Sequence, residues 1–154
     1  MNITIIALGK LKENYLKDNS SEYEKRLSAY CRLKIIELMP VKLNQNPSAE
    51  QVKAALEKET AMINIKSPKA FKIALCSEGE RFTSEGFARK LFKNPCDLNF
   101  IIGSSAGLSD SVKQSADLRL SLSDMTFPHR FARIMLLEQL YRAFSIQNNG
   151  KYHK

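Results

Sequence analysis

Five short apolar runs alternate with stretches of helical spacing along this chain, and that alternation limits the architectures open to it. Residues 3–8, 33–38, 71–75 and 98–102 are strand-length runs bounded by glycine, proline or polar clusters, and Leu118, Leu120 and Leu122 alternate along a fifth. Runs apolar on both faces suit strands covered by helices on both sides of a sheet. The pattern predicts an α/β fold with a mostly parallel sheet. With 154 residues, 44% of them hydrophobic, the chain can bury one core and reads as a single domain over residues 1–154.

The helical stretches carry their own start signals. Ser20 or Ser21 caps a helix that faces inward through Tyr23, Leu27 and Tyr30. Residues 42–47 form a polar loop, and Ser48 with Gln51 makes a capping box that opens a second helix with Val52, Leu56 and Ile63 inward and Glu57, Lys58 and Glu59 toward solvent. Cys76, Ser77, Glu78 and Gly79 read as the loop beyond the third run. Thr83 or Ser84 caps a helix burying Phe87 and Leu91 and stopping before Asn94-Pro95, and Ser109 caps a short one through Ala116. A long helix starts near Pro128 and reaches about Gln147. Its apolar residues, including Phe131, Ile134, Met135, Leu136, Leu137, Leu140, Tyr141 and Phe144, nearly encircle it. A second face against another subunit, or a central position within one chain, explains that pattern.

Composition excludes several classes. No apolar run has the roughly 20 residues that a membrane helix needs, and the start lacks the basic and small-residue signals of a secretory leader, so a cytoplasmic location is expected. Cys31, Cys76 and Cys96 are far apart and only His129 and His153 could add imidazole ligands, which argues against a disulfide scaffold or a metal site. The net charge of +8 favours encounter with a polyanion such as RNA.

In parallel sheets ligands bind beyond the carboxyl ends of strands. Loops beginning at Cys76, Gly103 and Ser123 each follow a run, so they are expected side by side. Gly103-x-x-x-Gly107 permits close approach of a nucleoside to main chain, although an ordinary tight turn uses the same residues. Leu122, Ser123, Asp124, Met125, Thr126 and Phe127, followed by Pro128-His129, can wall a flat heterocycle or simply lead into the last helix. Arg130, Arg133, Arg142, Lys151, Tyr152, His153 and Lys154 form a basic and aromatic group suited to phosphate and base contact, or a frayed helix end.

Phe100-Ile101-Ile102-Gly103, Ala106-Gly107-Leu108-Ser109, the run from Leu120-Ser121-Leu122-Ser123 through Pro128-His129, Leu136-Leu137-Glu138-Gln139-Leu140-Tyr141-Arg142-Ala143-Phe144 and the closing Tyr152-His153-Lys154 together resemble the RlmH family, the pseudouridine N3-methyltransferases of large-subunit ribosomal RNA. The likeness runs the length of the chain from Ile5-Ile6-Ala7-Leu8-Gly9-Lys10. It implies a SPOUT fold with a C-terminal trefoil knot, a homodimer, ribosomal RNA as partner, and S-adenosylmethionine as cofactor. It places the cofactor against Leu75, Gly103, Leu122, Ser123, Asp124, Met125, Thr126 and Phe127. By the same likeness the tail reaches the substrate, with His153 as candidate base, Arg142 or Lys154 as anion stabiliser, and Arg130, Arg133, Tyr152 and Lys154 as RNA contacts; no metal or membrane partner is implied. Two positions depart from the usual pattern, Ser104 where a second glycine is common and Lys151 where proline often precedes the Tyr-His pair. A ribosome-binding assembly factor without turnover and a transfer-RNA methyltransferase are the alternative readings.

Overall fold

The computed structural model describes residues 1–93 and 95–154, so Asn94, at the predicted stop of the third helix, lies outside the described residues. The elements run β1 (Asn2–Leu8), α1 (Asn14–Leu27), β2 (Arg32–Leu38), α2 (Ala49–Lys66), β3 (Phe71–Glu80), α3 (Ser84–Phe92), β4 (Leu98–Ile102), α4 (Asp110–Gln114), β5 (Leu118–Leu120) and α5 (His129–Gln147). The five strands form one sheet in the order β2-β1-β4-β3-β5, and every pairing is parallel.

Alternate residues of the central strands feed two apolar layers, as a doubly covered sheet requires. Ile3, Ile5, Ile73, Phe100 and Ile102 pack with Leu27, Phe87, Leu91, Leu136, Leu137 and Leu140 from α1, α3 and α5. Ile6, Leu8, Ala74 and Ile101 meet Ile63 and Val112 from α2 and α4. Each fully buried leucine or isoleucine here is worth about 1.5–3 kcal/mol. The capping box at Ser48 and the caps at Thr83 and Ser109 form as the sequence predicts.

Four local expectations need correction. The first helix begins at Asn14, six residues before Ser20, and its cap Glu13 makes no side-chain bond to the helix's own backbone; Ser20 is instead buried mid-helix and donates to Glu24 Oε1 at 2.6 Å. Tyr30 follows the helix and stacks on Phe144 with ring centroids 5.5 Å apart. β3 continues through Cys76 to Glu80 where a loop was expected, because Glu80 pairs with Leu120 beyond a register shift. On α2 the inward line is Ala55, Glu59 and Ile63, so Glu59 is only 3% exposed and does not belong to the solvated face.

Within one chain α5 packs between α1 and α3 and covers the sheet, burying Arg133, Leu136, Leu137, Leu140, Ala143, Phe144 and Ser145. That central position explains much of its apolar circumference. Phe131 remains exposed and rests on Tyr15 at 6.4 Å between centroids.

Candidate functional site

Parallel pairing brings the carboxyl ends of β3, β4 and β5 to one edge, where Leu75 stands beside both Ile102 and Leu120. β3 from Leu75 to Glu78 and the loops that follow β4 and β5 enclose a cleft of about 860 Å3. One wall is the segment of residues 103–107. It folds into a closed hairpin in which Gly107 N–H donates to the Ser104 carbonyl at 2.9 Å. Only glycine fits at 103, since a Cβ there would stand 2.5 Å from the Gly107 carbonyl oxygen. Gly107 takes the left-handed conformation, φ +81°, that favours glycine.

The facing wall is the segment between β5 and α5. Ser121 Oγ donates to the Ser123 carbonyl and Met125 N–H donates to Ser123 Oγ, both at 3.0 Å, so serine hydroxyls shape this turn locally. Leu75, Gly103, Leu122, Ser123, Met125, Thr126 and Phe127 all line the cleft. Asp124 does not line it; its exposed carboxylate pairs with Arg81 on the outer side of the turn. Cys76, Glu78, Lys113 and His129 are among the other lining residues and were not among the cofactor residues expected. Lys113 Nζ and Glu78 Oε1 are 2.6 Å apart, which lowers the Glu78 carboxyl and raises the Lys113 ammonium. Burial pushes the Cys76 thiol up.

His129 was legible only as the last letter of the run that ends the loop. Its imidazole is depressed below its ordinary 6.5, first by burial and then by the charges of Arg130 and Arg133. The unfolded chain therefore binds this proton more readily, and stability is lost as pH falls through 6.5 toward the folded value. His129→Gln is expected to flatten the pH dependence of the unfolding midpoint below pH 6.5; an unchanged slope would refute this assignment.

The tail residues assemble elsewhere. Arg142 Nη1 lies 3.3 Å from His153 Nδ1, so the two candidate catalytic groups are together. Arg142 Nε and the Tyr152 hydroxyl each donate to Glu138 Oε1 at 3.0 Å, and the guanidinium sits 4.7 Å from the Tyr152 ring centroid. His153 Nε2 is 2.8 Å from Glu85 Oε1 at the start of α3. The backbone N–H of Glu85 itself, with the His153 bond second and the Thr83 hydroxyl third, holds the Glu85 carboxyl down at about 2. Burial and the Tyr23 and Glu138 contacts push the Tyr152 hydroxyl above its ordinary range, keeping it a donor. None of these residues lines its own chain's cleft. Arg130 pairs with Glu13 at 3.0 Å, and Lys154 is exposed. Arg133, expected at RNA, is 4% exposed, with its guanidinium 2.6 Å from Glu37 Oε1 and 2.8 Å from the Gly9 carbonyl, so it braces the start of α5.

A sequence profile described as SPOUT methyltransferase matches residues 1–153. Ribosomal RNA large subunit methyltransferase H of Leuconostoc mesenteroides is 42% identical over the full length of both chains, and the protein of that name from Clostridium perfringens is 46% identical over the same span. The chain belongs to the SPOUT methyltransferase family, among the ribosomal RNA large subunit methyltransferase H proteins. A solved methylase-family protein from Haemophilus influenzae shares the fold at a TM-score of 0.60 and 13% identity, over 99% of this chain and 70% of its own. Among the described residues of this SPOUT protein no helix is long and apolar enough to cross a membrane, and no three His, Cys, Asp or Glu side chains converge as a metal site.

Proposed function

We propose that this SPOUT family member transfers a methyl group from S-adenosylmethionine to N3 of a pseudouridine in large-subunit ribosomal RNA, acting in the cytoplasm as a homodimer. The observation that carries the reading is the cleft itself. The hairpin at Gly103, which admits no side chain, faces Leu122, Thr126 and Phe127 across the strand ends in a family whose relatives are named as ribosomal RNA methyltransferases. The residues present fit the cofactor: the main chain of the Gly103–Gly107 hairpin lines the cleft, Phe127 supplies an apolar wall, and the imidazole of His129, depressed by burial, disfavours a positive charge in a cleft that would hold a sulfonium. The chain is taken as a single domain with a C-terminal trefoil knot, the topology its family resemblance implies. Because the Tyr152–His153 cluster lies outside its own chain's cleft, a second copy is the natural source of the tail at the reacting base. Exposed Phe131, Tyr15 and Met125 supply apolar area for such a contact.

When bound, the cofactor supplies an electrophilic methyl group. The chain's own residues bind and orient it through the two cleft walls, and orientation provides a large share of the acceleration. His153 takes the proton from N3, Arg142 stabilises the developing negative charge on the base, and Arg130, Tyr152 and Lys154 hold the RNA.

Labelled methyl from S-adenosylmethionine is expected on a large-subunit pseudouridine of ribosomes from cells lacking this protein. His153→Ala is expected to slow single-turnover transfer about 10²-fold. Full activity in that variant would end the assignment of His153 as base. Cofactor binding with label only on transfer RNA would replace the substrate, and absence of cofactor binding would favour an assembly factor.

A further inference from the structure

The hairpin of the cleft is gripped from behind by a helix that lines no part of the cleft. Glu59 on α2 is a buried carboxylate, 3% exposed. Its Oε2 accepts the Ser104 hydroxyl at 3.1 Å, and its Oε1 accepts the Val41 backbone N–H, also at 3.1 Å. Ser104 is itself buried and sits one residue after Gly103. The next residue of α2, Thr60, places its hydroxyl 2.7 Å from Ser109 Oγ, at the far end of the same loop. Ser109 Oγ also accepts the Val112 N–H, capping α4. Two consecutive residues of one helix therefore hold the two ends of the loop spanning residues 104–109, and both holds are hydrogen bonds between side chains.

We propose that Glu59 is a positioning residue for the cofactor wall: through Ser104, with Thr60 on Ser109 as a second anchor, α2 fixes the hairpin in the conformation that presents Gly103 to the cleft. The inference rests on the cofactor reading given above for its consequence, though not for the anchor itself. The physical reason is that Leu108 alone ties this loop to the core, and the Ser-Ser-Ala-Gly stretch of residues 104–107 has few side-chain contacts to choose one conformation, so it must be ordered either by the ligand or beforehand. A buried carboxylate is a strong acceptor, and its bond to a hydroxyl is harder to exchange for water than a surface one. Ordering beforehand removes that cost from the binding step.

Two readouts test it on the full chain. In the absence of any ligand, amide hydrogen exchange in residues 104–109 is expected to speed up about tenfold in Ser104→Ala and more in Glu59→Ala, whereas β1 and α5 keep their protection. In equilibrium titration, S-adenosylmethionine and its demethylated product are expected to bind Ser104→Ala roughly five- to tenfold more weakly, the worth of one such hydrogen bond. The rise should appear in the cofactor KM with kcat little changed. Glu59→Gln, which keeps an acceptor for Val41 and can donate to the serine oxygen, is expected to restore most of what Glu59→Ala loses. The double variant Ser104→Ala with Glu59→Ala should cost less than the sum of the two. Unchanged exchange in Ser104→Ala overturns the anchor. Faster exchange with cofactor affinity within twofold of the parent overturns the positioning role. If the parent chain binds neither ligand, the cofactor reading fails and takes the positioning role with it, and the exchange experiment still decides whether α2 orders the loop.

Discussion

Replacing Gly103 by alanine is expected to weaken S-adenosylmethionine binding on the order of 10²- to 10³-fold while the chain remains folded. The added Cβ would stand 2.5 Å from the Gly107 carbonyl oxygen and 2.6 Å from its carbon, distances no non-bonded contact tolerates. The neighbour is backbone in a closed turn, so relief requires opening the Ser104–Gly107 hairpin and moving the wall that faces Leu122 and Phe127. The fold should survive because this strain falls in the loop that follows β4, outside the strand pairings of the sheet. Gly107→Ala is the matched control. Its Cβ meets nothing within 4 Å, leaving only the strain of φ +81°, worth about 1 kcal/mol and hence roughly five- to tenfold in affinity. Calorimetric titration of both variants measures the difference, and Gly103→Ala binding within threefold of the parent would show that the hairpin is not a cofactor wall.

Arg133→Met should give the largest loss of stability among the charged positions, about 2–4 kcal/mol, read as a shift of the urea midpoint at unchanged slope. This guanidinium is buried, and it joins the first turns of α5 to the Glu37 carboxylate at the end of β2 and to the Gly9 carbonyl after β1. Methionine replaces most of the volume and none of the hydrogen bonds, leaving the Gly9 carbonyl without this donor. Glu37 keeps partial access to water, with its side chain one-third exposed, which sets the upper end of the loss below that of a fully buried pair. A change under about 1 kcal/mol would show that water substitutes for the arginine. Ribosome binding, by contrast, should report on Arg130 and Lys154, whose charged groups remain nearer the surface.

The sheet was legible because strands covered on both faces must be apolar almost throughout. Residues 98–102 read as a strand for that reason, and the five buried residues of β4 are the result. The caps at Ser48, Thr83 and Ser109 were legible because hydroxyls there answer a local need of the helix start. The same reasoning failed at Ser20 for the same cause. A serine reads as a cap wherever it stands, whereas the true start at Glu13 has no side-chain cap to read. The polar residues of β3 from Ser77 to Glu80 resemble a loop because that end pairs only with Leu120. Glu59 looked solvated beside Glu57 and Lys58; the useful signal was its place four residues from both Ala55 and Ile63. At the site, the loops after β4 and β5 could be inferred from order alone, and seven of the eight cofactor residues that the family resemblance implies line the cleft. Asp124 could not be separated from its neighbours without knowing that Arg81 lies beside the turn. The separation of Tyr152 and His153 from the cleft depends on how α3 and α5 pack, which no local spacing encodes.

The placement of α5 has a consequence for how a nascent chain is handled. Together with α1 and α3 this helix covers the face of the sheet formed by Ile3, Ile5, Phe100 and Ile102, yet it is made after all five strands. Until residue 147 is available, the part of that face lying between α1 and α3 stays uncovered. The protein must therefore complete its core late, with a period in which a greasy parallel sheet is open to chaperones and to other nascent chains.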